Sequence, residues 1–261
     1  MISFLHFFND LKKFKEYIIN SFFTGLALDN SRSYLGFVWW VLDPLMYMLI
    51  YIIVVSVILG RGEPNFPVFV FSGLLIWRWT SNTINQSTKS IIAKKNIINN
   101  VYIPKFIFPF VKNNINTFYF LISIFLLIIL LIIYKIPFTW HFIEFIPVMI
   151  VQYLFNFGVS LWLSHLGVIY FDVDKIINVF IRAWYYLSPG LYSLDRVPEL
   201  VRPFMWLNPL TTTIVSSRNV FLYGKSPEYL GLLIWGVISL IIIILGLRKV
   251  YYFDRAYAKV I

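Results

Sequence analysis

The stretch KSIIAKKNIINNVYIPKFIFPFVK, residues 89–112, determines how the rest of the chain is oriented. It contains five lysines and no acidic residue, and long apolar runs flank it on both sides. Lys and Arg residues near the ends of membrane spans stay on the cytoplasmic side. We therefore place this stretch in the cytoplasm and assign the sides of all other segments from it.

The composition is that of a polytopic membrane protein. Of the 261 residues, 59% are hydrophobic and only 13% are charged, whereas soluble domains are about a quarter charged. The net charge of +10 comes from basic residues at the ends of the apolar runs. The anionic inner leaflet explains this pattern better than nucleic acid does. The absence of cysteine excludes disulfides and Cys-ligated metals.

Six membrane spans are predicted, at about residues 36–59, 66–88, 106–134, 146–171, 176–194 and 229–247. Several of these runs reach the roughly 20 apolar residues that cross a bilayer. Six spans place both termini on one side. Segments assigned to the cytoplasm hold 15 Lys and Arg residues and external segments hold 6, which favours cytoplasmic termini. The expected fold is an all-α membrane protein.

Two segments do not fit the pattern of a lipid-facing span. Residues 81–88, the second half of span 2, are too polar for lipid and must face protein or a water-filled space. Residues 195–225 are interrupted by three prolines and are too short for two crossings, which need about 40 residues. We predict re-entrant helices there, entering from the outside and packing on protein.

An amphipathic interface helix is predicted at residues 1–30, before a six-span domain at residues 31–261. Apolar residues of the first segment recur at intervals of three and four, opposite Lys12, Lys13 and Glu16. A second surface helix is predicted at residues 91–101, although a solvated connecting loop is the alternative.

Three ionisable residues, Asp43, Arg78 and Arg182, lie inside predicted spans. A charge at that depth is costly and needs a partner or a function. One interpretation is an ion pair that holds two helices together. The other is a cationic site for a phosphate group at the cytoplasmic mouth. Asp43 and Arg182 are predicted at similar depth and are therefore candidate partners, with Arg78 as the rival.

The sequence contains only weak matches to motifs that are typical of enzymes. Asp172-Val173-Asp174 has the spacing of a metal-binding D-x-D pair, but an N-cap and polar turn before span 5 explains it more simply. His6, His141 and His165 lie far apart, and no phosphate-binding P-loop sequence occurs. We expect no catalytic residue, metal or cofactor on this chain.

Aromatic residues make up 20% of the chain, and interface belts or core packing explain many of them. Five lie away from the span ends: Tyr47, Tyr51, Trp184, Tyr185 and Tyr186. Because aromatic faces stack on sugar rings, these five are candidates for a path along which a polymer slides. Core packing is the competing interpretation for each of them.

An ordered set of short motifs resembles a known family. The motifs are Ser33-Tyr34-Leu35-Gly36 followed by Trp39-Trp40 and Asp43-Pro44, then Gly73-Leu74-Leu75 with Trp77, Ile103-Pro104-Lys105, Ser188-Pro189, and Asn208-Pro209 with Arg218. Together they resemble the permease subunits of ABC-2 type exporters, which move lipid-linked O-antigen, capsule or wall teichoic acid. The resemblance covers nearly the whole chain. It departs after span 4, where the family usually has Arg-Asp and this chain has Phe171-Asp172.

The resemblance implies a non-enzymatic homodimer in a bacterial cytoplasmic membrane, joined to two ATPase subunits that carry ATP and Mg²⁺. Spans 1 and 5 would line a tunnel, which the re-entrant segment caps. The N-terminal helix and the cytoplasmic loops would couple to the ATPase, the loops through Lys94, Lys95, Ile97, Ile98, Asp172 and Asp174. Two alternatives remain: an exporter of a small lipid or drug, and a polytopic glycan-modifying enzyme.

Overall fold

The computed structural model describes residues 2–31, 34, 36, 38–60, 63–170 and 172–260. Within these ranges, every regular element is a helix. Phe171, and Ser33 and Leu35 of the first family motif, lie outside the described residues. The α-helices are α1 Ile2–Lys13, α2 Lys15–Ser31, α3 Val38–Tyr51, α4 Phe66–Thr88, α5 Lys95–Asn100, α6 Ile107–Ile133, α7 Phe145–Ile169, α8 Val173–Tyr186, α9 Arg202–Met205, α10 Pro209–Phe221, α11 Tyr229–Tyr252 and α12 Asp254–Val260.

Four helical stretches are long and apolar enough to cross a membrane: Val38–Ile58, Ile107–Ile133, Trp140–Ile169 and Tyr229–Tyr252. They correspond to predicted spans 1, 3, 4 and 6. The first combines α3 with a π-helix, Ile52–Ile58, and the third begins with the 3₁₀-helix Trp140–Glu144. The other two predicted spans are also helical. However, α4 is polar in its second half, and α8 has only 14 residues.

Helix α4 is at the centre of the bundle. It packs against α3, α6, α7, α8 and α10. Its polar half is enclosed by these neighbours, and Ser81, Thr83 and Ser87 are buried. The prediction that residues 81–88 avoid lipid is therefore confirmed.

Helix α10 packs against α4 and α7. The Asn208 side chain caps its start by accepting a hydrogen bond from the Leu210 amide at 3.0 Å, and Pro209 occupies the first turn. Nearly all of its residues are buried. Small hydroxyl side chains dominate this helix and allow its backbone to approach neighbouring helices closely.

The predicted N-terminal interface helix is two helices, α1 and α2, separated at Phe14. Their apolar side packs on the chain's own bundle, since α1 contacts α11 and α2 contacts α6. The Phe7 ring is buried, with its centroid 5.0 Å from that of Phe106. The location of this segment at the membrane interface stays a prediction. Ile19 and Phe23 nevertheless remain exposed on α2.

Polar links show which loops share an end of the molecule. Lys89, at the end of α4, pairs with Asp174, at the start of α8. The Tyr251 hydroxyl donates to Asp10 at 2.8 Å and joins the C-terminal part of α11 to α1. At the other end, Glu63 pairs with Arg196 at 2.8 Å. The two predicted cytoplasmic loops thus meet each other, as do two of the predicted external segments.

Candidate transport site

Asp43 on α3 forms an ion pair with Arg78 on α4. The Arg78 guanidinium also lies over the Tyr47 ring, 4.7 Å from its centroid. The predicted pairing of Asp43 with Arg182 is therefore wrong, and the rival partner is the one observed. The physical reason is that α3 packs directly on α4, whereas Arg182 is exposed on α8.

The Asp43–Arg78 pair lines a pocket between α3, α4 and α6 with a volume of about 370 Å³, here called the polar pocket. Its wall includes the amides of Asn82, Gln86 and Asn116. The Asn116 side chain donates to Gln86 Oε1 at 3.2 Å. The aromatic part of the wall consists of Trp39, Trp40, Trp79, Tyr119 and Phe120. A cation, amides and aromatic faces in one pocket suit a phosphate or a sugar.

The five aromatic tunnel candidates occupy different environments. Tyr47 on α3 and Tyr186 on α8 are exposed, at 40% and 66%. Tyr185 is buried, and its ring centroid lies 4.4 Å from that of Trp77. Half-buried Trp184 donates through its indole to Asn208 Oδ1 at 2.9 Å. Tyr51 is half-buried, 5.6 Å from Tyr185 between ring centroids. Of the five candidates, Tyr47 and Tyr186 are the two that are exposed.

Arg182 lies on the same exposed side of α8 as Val179 and Tyr186. Its Nε donates to the Asn178 carbonyl at 3.1 Å, within the same helix. A guanidinium held in this way on an outward helix face requires water or a second polypeptide around it, because lipid cannot solvate it. The charged residue predicted inside span 5 is therefore found at the bundle surface.

The predicted coupling residues divide between the interior and the surface. Ile98 is buried and Ile97 partly buried, in an apolar cluster that includes Phe106 and Tyr257. Lys95 is exposed and Lys94 is half-buried. Asp174 pairs with Lys89, while Asp172 pairs with Lys175 at 2.8 Å. The predicted surface helix at residues 91–101 is a 3₁₀ turn, Ile92–Lys94, followed by the six-residue helix α5.

Sequence reasoning missed the structural role of Arg218, which it had assigned to an external segment. The residue is 3% exposed. Its guanidinium donates to the carbonyls of Pro189 and Gly190, both at 2.6 Å, and to those of Tyr192 and Phe69 at 3.2 and 3.3 Å. The hydroxyl-rich sequence of α10 was the available signal, because small polar residues on all faces are typical of a helix buried in protein.

The sequence analysis also did not predict a buried polar network. Gln152 on α7 donates to Thr80 on α4 at 2.7 Å and to Asn156 at 3.0 Å. It accepts from Thr213 on α10 at 2.8 Å. This single glutamine therefore links three helices inside the bundle.

Comparison with known proteins identifies polysaccharide-export permeases as relatives, although no family model matches the chain. The chain is 29% identical to an O-antigen export system permease protein RfbA of Klebsiella pneumoniae, over 84% of this chain and 85% of the relative. It is 27% identical to a Myxococcus xanthus protein of the same name, over 90% and 91% of the two chains. It is 22% identical to the polysialic acid transport protein KpsM of Escherichia coli, over 82% and 84%. With the four apolar helices, these relatives indicate a multi-pass membrane protein of the permease type.

Proposed function

We propose that this chain is the transmembrane subunit of an ATP-driven ABC exporter that moves a lipid-linked polysaccharide across a bacterial cytoplasmic membrane. The observation that carries the proposal is similarity to O-antigen and polysialic acid transport proteins over more than four fifths of each chain. The exported polymer is of the O-antigen, capsule or wall teichoic acid class.

The proposed topology has six spans, with α4 and α8 as spans 2 and 5 and both termini in the cytoplasm. Helix α4 has enough residues to cross but is enclosed by protein, which explains its polar half. The short helix α9 and the buried helix α10 form the re-entrant segment. The Lys89–Asp174 and Glu63–Arg196 pairs support this topology, because each joins segments that it places on the same side.

A homodimer would enclose the polymer between α3 and α8 of both subunits. The exposed faces of these two helices carry Tyr47, Tyr186 and Arg182. By contrast, α6 and α11 expose aliphatic and Phe side chains suited to lipid, among them Leu121, Phe125, Leu233 and Ile241. Tyrosines at the α3 and α8 surfaces offer faces for sugar rings, and the guanidinium offers a partner for phosphate.

The proposed partner is a separate ATPase subunit, which supplies ATP and Mg²⁺. Its docking surface includes the exposed end of the first loop, where Val101 and Tyr102 are 57% and 59% exposed. Ile98 is not part of this surface, since it is buried in the chain's own core. Replacing exposed Val101 with Ser should lower ATPase association while leaving thermal stability unchanged, whereas Tyr102 also packs against buried Lys105 and is kept. Ile98→Ser should instead lower stability by about 2–4 kcal/mol, as other truncations in a packed core do.

Deletion of the gene tests the proposed function directly. Cells that lack this chain should accumulate polymer inside and lose it from the surface, and a plasmid copy should restore export. Purified alone, the chain should not hydrolyse ATP, whereas its complex with the ATPase should. Normal surface polymer in the deletion strain would refute the proposal. Intact surface glycan with impaired efflux of a small lipid or drug would favour the alternative exporter.

A further inference from the structure

An apolar cavity of about 690 Å³ runs along one side of α8 and is closed by α7 and by the segment before α10. We call it the tail groove. Ile177 and Leu187, which both line it, are ten residues apart on the chain. At 1.5 Å per residue the groove therefore follows α8 for about 15 Å. One leaflet of the roughly 30 Å hydrocarbon core has the same thickness.

The side chains that line the tail groove offer no free polar group. Asn208 is the one amide among them. Its oxygen accepts from the Trp184 indole at 2.9 Å, and its nitrogen donates to the Ser188 hydroxyl at 2.8 Å. The groove is open to the outside, since Phe180 and Leu187 in its wall are 56% and 66% exposed. An open, apolar groove of this length in a membrane protein is suited to a hydrocarbon chain.

The tail groove is separate from the proposed polymer path. Val179, Arg182 and Tyr186, which form the exposed polar side of α8, do not line it. At 3.6 residues per turn these three lie on the opposite side of the helix from Ile177 and Trp184. Helix α8 therefore stands between the groove and the path.

A smaller cavity of about 260 Å³, here called the head pocket, adjoins the tail groove near the C-terminal end of α8. Trp235 of α11 lines both cavities, and its indole donates to the Trp206 carbonyl at 3.3 Å. Trp206 lines the head pocket, while its neighbours Met205 and Leu207 line the tail groove. The two cavities therefore form one continuous site with a different chemistry at each end.

The head pocket combines a carboxylate with two indole rings. Glu228 is the one charged side chain that lines it, and its Oε1 accepts from the Asn219 amide at 3.2 Å. Thr212 also lines the pocket and is buried. Its hydroxyl has no hydrogen-bond partner among the described residues. A carboxylate beside tryptophan rings, with no cation in the wall, is suited to an ammonium group, which is attracted by both the charge and the ring faces.

The position of the head pocket favours a lipid over a soluble cation. Leu230 and Ile234 in its wall are 75% and 47% exposed, so apolar surface surrounds its mouth. Glu228 immediately precedes α11, and Trp235 lies seven residues further along the chain, which is about 10 Å along the helix. The site therefore descends from a charged end into an apolar one, as a phospholipid does.

We propose that the two cavities together bind one phospholipid whose headgroup carries an ammonium, with the ammonium at Glu228 and an acyl chain in the tail groove. On the topology proposed above, the start of α11 faces the outside, and the lipid comes from the outer leaflet. The inference does not depend on which substrate the chain transports.

The test measures lipid binding to the purified full-length chain in detergent by native mass spectrometry. The probes are phosphatidylethanolamine and phosphatidylglycerol with identical acyl chains. Glu228→Gln removes the charge but keeps an oxygen that can accept from Asn219. Glu199→Gln is the matched control, since Glu199 is exposed and lines neither cavity.

The wild type should bind phosphatidylethanolamine about tenfold more tightly than phosphatidylglycerol, the contribution of one charge-assisted contact. Glu228→Gln should lose this preference, and the control should keep it. Trp206→Leu, which leaves the carboxylate in place, should lose it as well. Equal affinity of the wild type for the two lipids, or an unchanged preference in Glu228→Gln or Trp206→Leu, would overturn the proposal.

A steric variant tests the tail groove independently of charge. Val159→Trp places a large side chain in the groove from α7 and leaves the head pocket unchanged. It should weaken the binding of both lipids about tenfold, because excluding two methylenes from the groove already has that effect. Val237→Trp is the control, since Val237 is exposed on α11 and lines neither cavity.

A second copy of the chain is the competing occupant of the tail groove. In that case Val159→Trp would lower the oligomeric mass in size-exclusion chromatography while lipid binding stayed at the wild-type level, and the proposal would be overturned. Wild-type lipid affinity in Val159→Trp without a change of mass would overturn it too.

Discussion

Arg218 shows how a single charged side chain can organise one end of the bundle. It lies on α10 and donates hydrogen bonds to backbone carbonyls of α4 and of the turn after α8. Its guanidinium carbon is also 3.5 Å from the centroid of the Phe69 ring. Gly73 permits this approach, because a Cβ there would lie 2.9 Å from Arg218 Nη2. The planar, five-donor guanidinium is the only side chain that can serve these acceptors together.

Arg218→Lys should therefore destabilise the protein although it keeps the charge. A lysine cannot reproduce the fork of donors, and each buried carbonyl left unpaired costs about 1–3 kcal/mol. We expect a clear drop in the thermal unfolding temperature and in the yield of monodisperse protein. Arg255→Lys is the control, since Arg255 is exposed on α12. Equal stability of the two variants would contradict the assigned role.

Asp43 and Arg78 permit a test that separates structure from function. Arg78→Gln leaves the Asp43 carboxylate without its partner, so yield should fall, because a lone charge at membrane depth is costly. Adding Asp43→Asn removes that charge and should restore the yield. Export should nevertheless stay impaired, because the cation of the polar pocket is missing. If the double variant recovers both yield and export, the ion pair serves only to hold α3 against α4.

Gly167 on α7 lies so close to the end of α4 that a side chain has no room there. A Cβ on Gly167 would lie 2.1 Å from the Thr88 carbonyl oxygen, which no side chain tolerates. This crossing positions Lys89 against Asp174. The glycine therefore sets the distance between the two predicted cytoplasmic loops.

Gly167→Ala should move these loops apart. Because the chain has no cysteine, Lys89→Cys with Asp174→Cys supplies a clean reporter. The disulfide should form readily in the otherwise unchanged chain and much more slowly with Gly167→Ala. Gly236→Ala is the matched control, since a Cβ there meets only Val151 at an ordinary 3.6 Å. Equal cross-linking rates in the two alanine variants would refute the argument.

The sequence was most informative about local elements. The run at 66–88 was predicted with the bounds that α4 has, because Pro64 and the lysines of the following loop delimit it. The packing between distant segments could not be predicted from the sequence. Neither the partner of Asp43 nor the inward direction of Ile98 follows from hydropathy or periodicity. The sequence alone does not distinguish Arg218 from an ordinary cation in a loop. In the structure, four backbone carbonyls accept hydrogen bonds from it. Asp43 and its partner are 35 positions apart, and the carbonyls at Arg218 lie 26 to 149 positions from it, so no local pattern encodes these contacts.

The outer surface of the bundle includes two kinds of helix face. Helices α6 and α11 expose mostly aliphatic and Phe side chains. The exposed side of α8 mixes Val179 and Tyr186 with Arg182 and Asn178. Lipid suits the first kind of face, whereas a guanidinium in the second requires water or a partner subunit. This contrast is what a tunnel between two copies of the chain would produce.

Cysteine accessibility can decide between these environments. A maleimide reacts with the thiolate, which forms in water and not in hydrocarbon. In the assembled exporter, Val179→Cys should therefore react with a small water-soluble maleimide. Ile241→Cys, on the exposed face of α11, should remain unlabelled although its exposure in the single chain is similar, 51% against 63%. Trapping a polymer in transit should slow the labelling of Val179→Cys and leave Ile241→Cys unaffected. If both positions stay unreactive, α8 faces lipid or a dry interface, and the polymer path must lie elsewhere.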